Sequence, residues 1–190
     1  MRQEIDMNDW ERRSAQAWAE IDDYYARGEA GEADFRELIG ALADELPPGN
    51  PVAAFERACA WDSTGHSDKA VPLYQEALER GLAGMRRRRA VIQMASSLRN
   101  IGRVTESAEL LTAEADNHDP DAAVLADAVS AVLALCLADL GREREAVSVA
   151  LLALAPHLPR YQRSMANYAR LLAESDPVKP ELRSIASACI

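Results

Sequence analysis

At 190 residues, with 48% hydrophobic but only 5% aromatic residues, the chain suits one elongated domain whose core is built from Ala, Leu and Val. A net charge of −10 and a pI of about 4.8 argue against nonspecific nucleic-acid binding, because a phosphate backbone attracts basic surfaces. Cys59, Cys136 and Cys189 show no paired spacing, and the N-terminus lacks the apolar core of a signal peptide, so the expected location is the reducing cytoplasm. No apolar run reads as long enough to cross a bilayer, since the longest, 122–140, is interrupted by Asp127 and Asp139.

Taken in order, residues 1–7 read as loose. Residues 10–27 predict a helix with Trp10, Ala17, Trp18, Ile21 and Tyr25 near one face, and GEAGE (28–32) then breaks the chain. A second helix starts at Asp34, with Phe35, Leu38, Ile39, Leu42 and Leu46 at amphipathic spacing. Together 8–46 read as a divergent helical hairpin, closed by PPGNP (47–51), where proline stops the helix. In 51–82, Ala58 and Trp61 precede Gly65, and Ala70, Tyr74 and Ala77 follow it. Pro72 predicts a kink or a late start in the second helix.

In 85–117, Val91, Met94, Ala95, Leu98 and Ile101 share a helical face before Gly102, and Ala108 and Leu111 follow it. ADNHDPD (115–121) is a polar linker. In 121–156, Leu133, Ala134 and Leu137 precede Gly141, and Ala146, Ala150 and Ala153 follow. Pro156 and Pro159 bracket a turn. Tyr161, Met165, Tyr168 and Leu172 then form a stripe in 160–174, a capping helix of the kind a solenoid end requires. The prolines of the tail, 175–190, predict an extended segment, and SIASACI reads as a short helix or disorder.

Gly65, Gly102 and Gly141 are 37 and 39 residues apart, a period that signals stacked repeats. The pattern of small residue, aromatic or aliphatic residue, Gly, then Ala–x–x–x–aromatic or aliphatic–x–x–Ala resembles the tetratricopeptide repeat, usually about 34 residues long. Residues 51–82 match best. In the second copy Ser107 and Glu114 replace expected alanines, and the third copy has no aromatics. SSLRNIGR, the preceding RRRRA and the acidic N-terminal hairpin also resemble a group of small bacterial single-domain tetratricopeptide proteins of undefined function. The resemblance implies an all-α, right-handed α-solenoid of stacked antiparallel hairpins with a C-terminal capping helix.

It also implies that the first helix of each repeat lines a concave groove. The groove positions are then Val52, Phe55, Cys59, Asp62 and Ser63; Arg89, Ile92, Ser96, Arg99 and Asn100; and Ala128, Ala131, Leu135, Ala138 and Asp139. The implied function is non-enzymatic: a partner peptide, acidic or C-terminal, held in that groove. Arg89, Arg99 and Asn100 would be polar anchors, beside Ser96, with Phe55, Ile92 and Leu135 as apolar contacts. Guanidinium forks grip carboxylates and an amide bonds a backbone both ways. The competing reading of 86–89 is surface charge paired with neighbouring acids. A second reading of the whole is a self-assembling structural protein, a homodimer through the apolar third repeat or the capping helix.

No catalytic constellation, phosphate loop or metal-ligand set is legible. His66, His118 and His157 fall in turns at no ligand spacing, so no cofactor or metal, no nucleic acid and no membrane is expected.

Overall fold

The computed structural model of the chain describes residues 5–117 and 119–174; residues 1–4, His118 and the tail 175–190, with Cys189, lie outside them. Ten α-helices follow one another: α1 (Met7–Ala19), α2 (Ile21–Tyr25), α3 (Gly28–Glu45), α4 (Pro51–Ser63), α5 (Ser67–Glu79), α6 (Gly84–Asn100), α7 (Val104–Ala115), α8 (Ala126–Asp139), α9 (Glu143–Leu154) and α10 (Gln162–Glu174). Short 3-10 turns at Pro120–Leu125 and Ala155–His157 flank the third hairpin, and no strand occurs among the described residues. The chain is an all-α solenoid.

Its curvature follows from which helices touch. Each helix packs on its neighbours in sequence. In addition α4 touches α6 and α6 touches α8, whereas α5 and α7, and α7 and α9, do not meet. The first helix of each hairpin therefore lies on the closed, inner side of the stack, and the second helices fan out on the outer side.

Three hairpins turn through the same device. Gly65, Gly102 and Gly141 adopt φ of +79°, +83° and +73°, left-handed angles that only glycine takes without steric cost. Past each glycine the next amide reaches back five residues: His66 N to Trp61 O (2.9 Å), Arg103 N to Leu98 O (2.8 Å) and Arg142 N to Leu137 O (2.9 Å). These are Schellman closures, which satisfy carbonyls the helix end would leave orphaned.

The core runs the length of the stack. Trp10, Phe35, Phe55 and Tyr74 are its fully buried aromatics, and Leu98, Leu111 and Val129 continue it. Between them Ala58, Ala70, Ala77, Ala90 and Ala95 are fully buried, which is what allows the helices to approach closely.

Ser107 and Glu114, where the repeat pattern expects alanine, are buried polar anchors. Ser107 Oγ donates to Ala95 O at 2.6 Å, tying α7 to α6, and Glu114 receives Arg87 and Arg88.

The N-terminal region differs from the sequence expectation. The 10–27 helix divides at Glu20 into α1 and α2, and GEAGE does not break the chain: α3 begins at Gly28. The reversal sits at Gly28, φ +67°. Gly31 lies inside α3, and the position requires glycine because a Cβ there would stand 2.2 Å from Tyr24 O. Met7 already belongs to α1, which is capped by Asp6 through the Asn8 amide at 3.0 Å.

Pro72 does not delay α5, which starts at Ser67. It removes the amide that would bond the carbonyl of Asp68, and both residues are exposed, so water can satisfy that oxygen.

Ala122–Asp139, with mean hydropathy 2.0, is by length and composition long and apolar enough to cross a bilayer, contrary to the sequence reading. In the fold this stretch spans most of a 3-10 turn and the whole of α8, packed against α7 and α9. The expected stripe on the last helix also divides. Met165 and Leu172 are half-buried, Tyr168 is exposed, and Ala169 is the buried residue, its carbonyl accepting from Ser148 Oγ of α9 at 2.7 Å.

Candidate functional site: the inner wall of α6 and α8

The four arginines at the head of α6 have four different fates. Arg88 is 4% exposed. Its Nε donates to Glu114 Oε1 at 2.8 Å, and its remaining donors go to Asn117 O and, at 3.2 Å, Ala122 O. Arg87 reaches both oxygens of the same Glu114, at 2.8 and 3.0 Å. Arg86 crosses to Glu11 of α1 at 2.5 Å. Residues 86–88 are thus paired with acids, and Arg88 also clamps the linker after α7 through the carbonyls of Asn117 and Ala122.

Arg89 alone is exposed. It makes no ion pair among the described residues, and its guanidinium lies 5.2 Å above the Phe55 ring. Such a cation–π contact fixes the side chain while leaving its donors available.

Phe55 itself is 0% exposed. The family geometry placed it as a groove contact, and the structure corrects this. The Tyr74 ring of α5 lies 6.3 Å from it and the Arg89 guanidinium lies over it, with Trp18 of α1 packed against the same cluster. Ser14 and Trp18 of α1 lie over buried Glu56, which sequence reasoning passed over. Its Oε2 accepts from Trp18 Nε1 at 2.7 Å, and burial pushes its carboxyl above the usual range. A carboxylate inside the apolar run VAAFE was the available signal.

Other positions on α4 are spoken for. Cys59 is buried and its thiol is pushed up to about 12, chiefly by desolvation; it is a packing residue, donating to Gln93 Oε1 at 3.5 Å. Asp62 accepts from Ser97 Oγ at 2.6 Å and Tyr74 Oη at 3.2 Å, and burial raises its carboxyl too.

The open part of the inner wall is therefore α6 with α8. On α6, Arg89, Ile92, Ser96 and Arg99 follow at spacings of three, four and three, which brings them to one face. Ile92 and Ser96 are half-buried. Arg99 makes a two-pronged pair with Asp139 of α8, Nε–Oδ2 2.6 Å and Nη2–Oδ1 3.3 Å. Asn100 Nδ2 donates to Ser67 Oγ at 3.3 Å, so its amide serves the junction with α5. On α8, Leu135 is 50% exposed, with Ala131 and Ala138 exposed beside it. The wall grades from a cation on α6 to aliphatic surface on α8, with the Arg99–Asp139 pair at one end.

Among the described residues no group of His, Cys, Asp or Glu could hold a metal ion. His66 Nδ1 lies 2.6 Å from Thr64 O, and His157 Nε2 lies 2.8 Å from Asp127.

The family profile of the tetratrico peptide repeat matches residues 51–172, from the first residue of α4 into α10. No curated protein and no solved structure matches the chain.

Proposed function

The chain belongs to the tetratricopeptide repeat family, and from that premise we propose that it is a non-enzymatic module holding a segment of a partner protein against the inner wall of α6 and α8. Repeats of this family generally mediate protein–protein interaction. The observation that carries the finer reading is Arg89: an exposed guanidinium, pinned over Phe55 and in no ion pair among the described residues, at the head of a wall that ends in exposed Leu135. The segment it fits has a carboxylate, from an acidic side chain or a C-terminus, near an apolar residue. Arg99 is a second anchor when it exchanges Asp139 for the ligand, and Ile92 and Ser96 line the path between. The cytoplasm remains the compartment of this reading, supported by buried, unpaired Cys59 and Cys136.

The test is selection from a random peptide library with free C-termini on the wild type and on Arg89→Glu. Acidic or carboxylate-terminal sequences that bind the wild type, weaken with salt and fail on Arg89→Glu are expected. Equal enrichment on both would remove Arg89 from the site.

A second reading rests on a different surface. Val147 and Leu154 of α9 and Tyr168 of α10 are all exposed, an apolar area on the C-terminal hairpin and cap. Self-association through it would give a homodimer. A concentration-independent monomer mass by light scattering would exclude this.

A further inference from the structure

A second recess lies away from the inner wall, on the seam between α3 and α4. It encloses about 370 Å³ and is lined by Arg36, Glu37 and Gly40 of α3 and by Arg57, Ala60 and Trp61 of α4. Helical spacing explains the grouping: 36, 37 and 40, and 57, 60 and 61, are each one face of a helix. These α4 positions point toward α3, while the inner-wall positions of the same helix are 55, 59 and 62.

Three features make this recess more than a gap. First, the Arg36 guanidinium is stacked 4.8 Å above the Trp61 ring, and its Nη1 is sealed from solvent without a hydrogen-bond partner. Arg36 makes no ion pair among the described residues, although Glu37 borders the same recess. A partly desolvated, unpaired cation is energetically unfinished, because buried donors are normally satisfied. Second, Arg57 stands at the rim, with Nη2 2.6 Å from Asp44, whose side chain is 78% exposed. That surface pair is weak enough for an incoming anion to share. Third, Gly40 leaves the wall open: no atom lies within 4 Å of where its Cβ would stand. The rest of the lining is Ala60, Ala33 and the indole of Trp61.

We propose that this recess binds a monocarboxylate carried on an apolar body, with Arg36 as the principal ligand to the carboxylate, Arg57 in support and Trp61 as the apolar wall. One unpaired guanidinium matches the two oxygens of one carboxylate. A phosphate would bring up to two charges to a recess that already contains Glu37, so it fits less well. The carboxylate comes from a small acid or from the C-terminal residue of a peptide.

The experiment uses two probes, 3-phenylpropionate and N-acetyl-Gly-Phe, and the uncharged 3-phenylpropionamide. Each is titrated into the full chain while the tryptophan indole N–H signals are followed by NMR, that of Trp61 being assigned by its loss in Trp61→Phe. A saturable shift of Trp61 with the acids is expected, at least tenfold weaker with the amide and in Arg36→Met. Gly40→Met, which fills open space in a helix without a clash, should abolish it. Tighter binding of N-acetyl-Gly-Phe identifies a chain terminus as the ligand, and tighter binding of 3-phenylpropionate a small acid. The Trp10 and Trp18 signals, unmoved in each variant, report that the fold is intact. No saturable shift at Trp61, equal binding of the amide, binding that survives Gly40→Met, or a shift at Trp18 instead would each overturn the proposal.

Discussion

Replacing Glu114 by glutamine should damage the fold more than any surface charge change in this chain. Glu114 is 3% exposed, and Arg88, which it faces at 2.8 Å, is 4% exposed. Arg88 also donates to the carbonyls of Asn117 and Ala122, so it tethers the linker between the second and third hairpins to the head of α6. Removing one charge from such a pair leaves the other buried and uncompensated, a loss of about 3–5 kcal/mol. That is a large part of the roughly 5–15 kcal/mol available to a native fold. For a chain of this length it corresponds to a fall in Tm of roughly 6–20 °C.

Arg87 pairs with the same carboxylate from a half-exposed position, so Arg87→Met should lose about 1 kcal/mol or less. Urea unfolding followed by circular dichroism compares Glu114→Gln, Arg87→Met and Arg88→Met. A loss below about 1 kcal/mol for Glu114→Gln, or Arg87→Met as damaging as Arg88→Met, would refute the reasoning from burial.

Further outcomes follow from turns and buried acids. Gly102→Ala should destabilise by about 1–2 kcal/mol, from backbone angle alone, since nothing lies within 4 Å of the added Cβ; calorimetry measures it. The reverse applies at Tyr161, which is 75% exposed at φ +69°: Tyr161→Gly should stabilise by up to about 1 kcal/mol in the same assay, and destabilisation would mean that its ring packs on something. Burial raises the carboxyl of Glu56 above its ordinary 4.5, so the folded state binds its proton more readily than the unfolded chain. Stability therefore falls as pH rises from about 4.5 through the folded value, and Glu56→Gln, which can still accept from Trp18, should gain at pH 7 and not at pH 4. Urea midpoints at the two pH values check this, and an equal shift at both would contradict it.

The repeats were legible because their strongest signals are local. Gly65, Gly102 and Gly141 mark chain reversals, and alanines at helical spacing mark contact faces, whatever surrounds them. What lay beyond the sequence was the identity of the covering element. Periodicity places Phe55 on the inner face of α4, but only the packing of Tyr74 and Arg89 against its ring shows that position to be closed. The same holds for 86–89, four identical residues whose partners come from α1, α4 and α7. Glu114 looked like a lapse in the repeat pattern and is instead the counter-charge of Arg88. Gly31 and Pro72 misled for a related reason: breaker residues are read as boundaries, yet one meets a close backbone approach and the other an exposed carbonyl that water can serve.

The central claim is that a partner segment lies along α6 and α8. Methyl-resolved NMR with the tightest peptide from the library tests it most directly. The account predicts shifts at the methyls of Ile92 and Leu135, with Val147 and Leu154 unmoved and every shift lost in Arg89→Glu. Shifts confined to Val147 and Leu154 would contradict it and put the binding surface on the C-terminal hairpin.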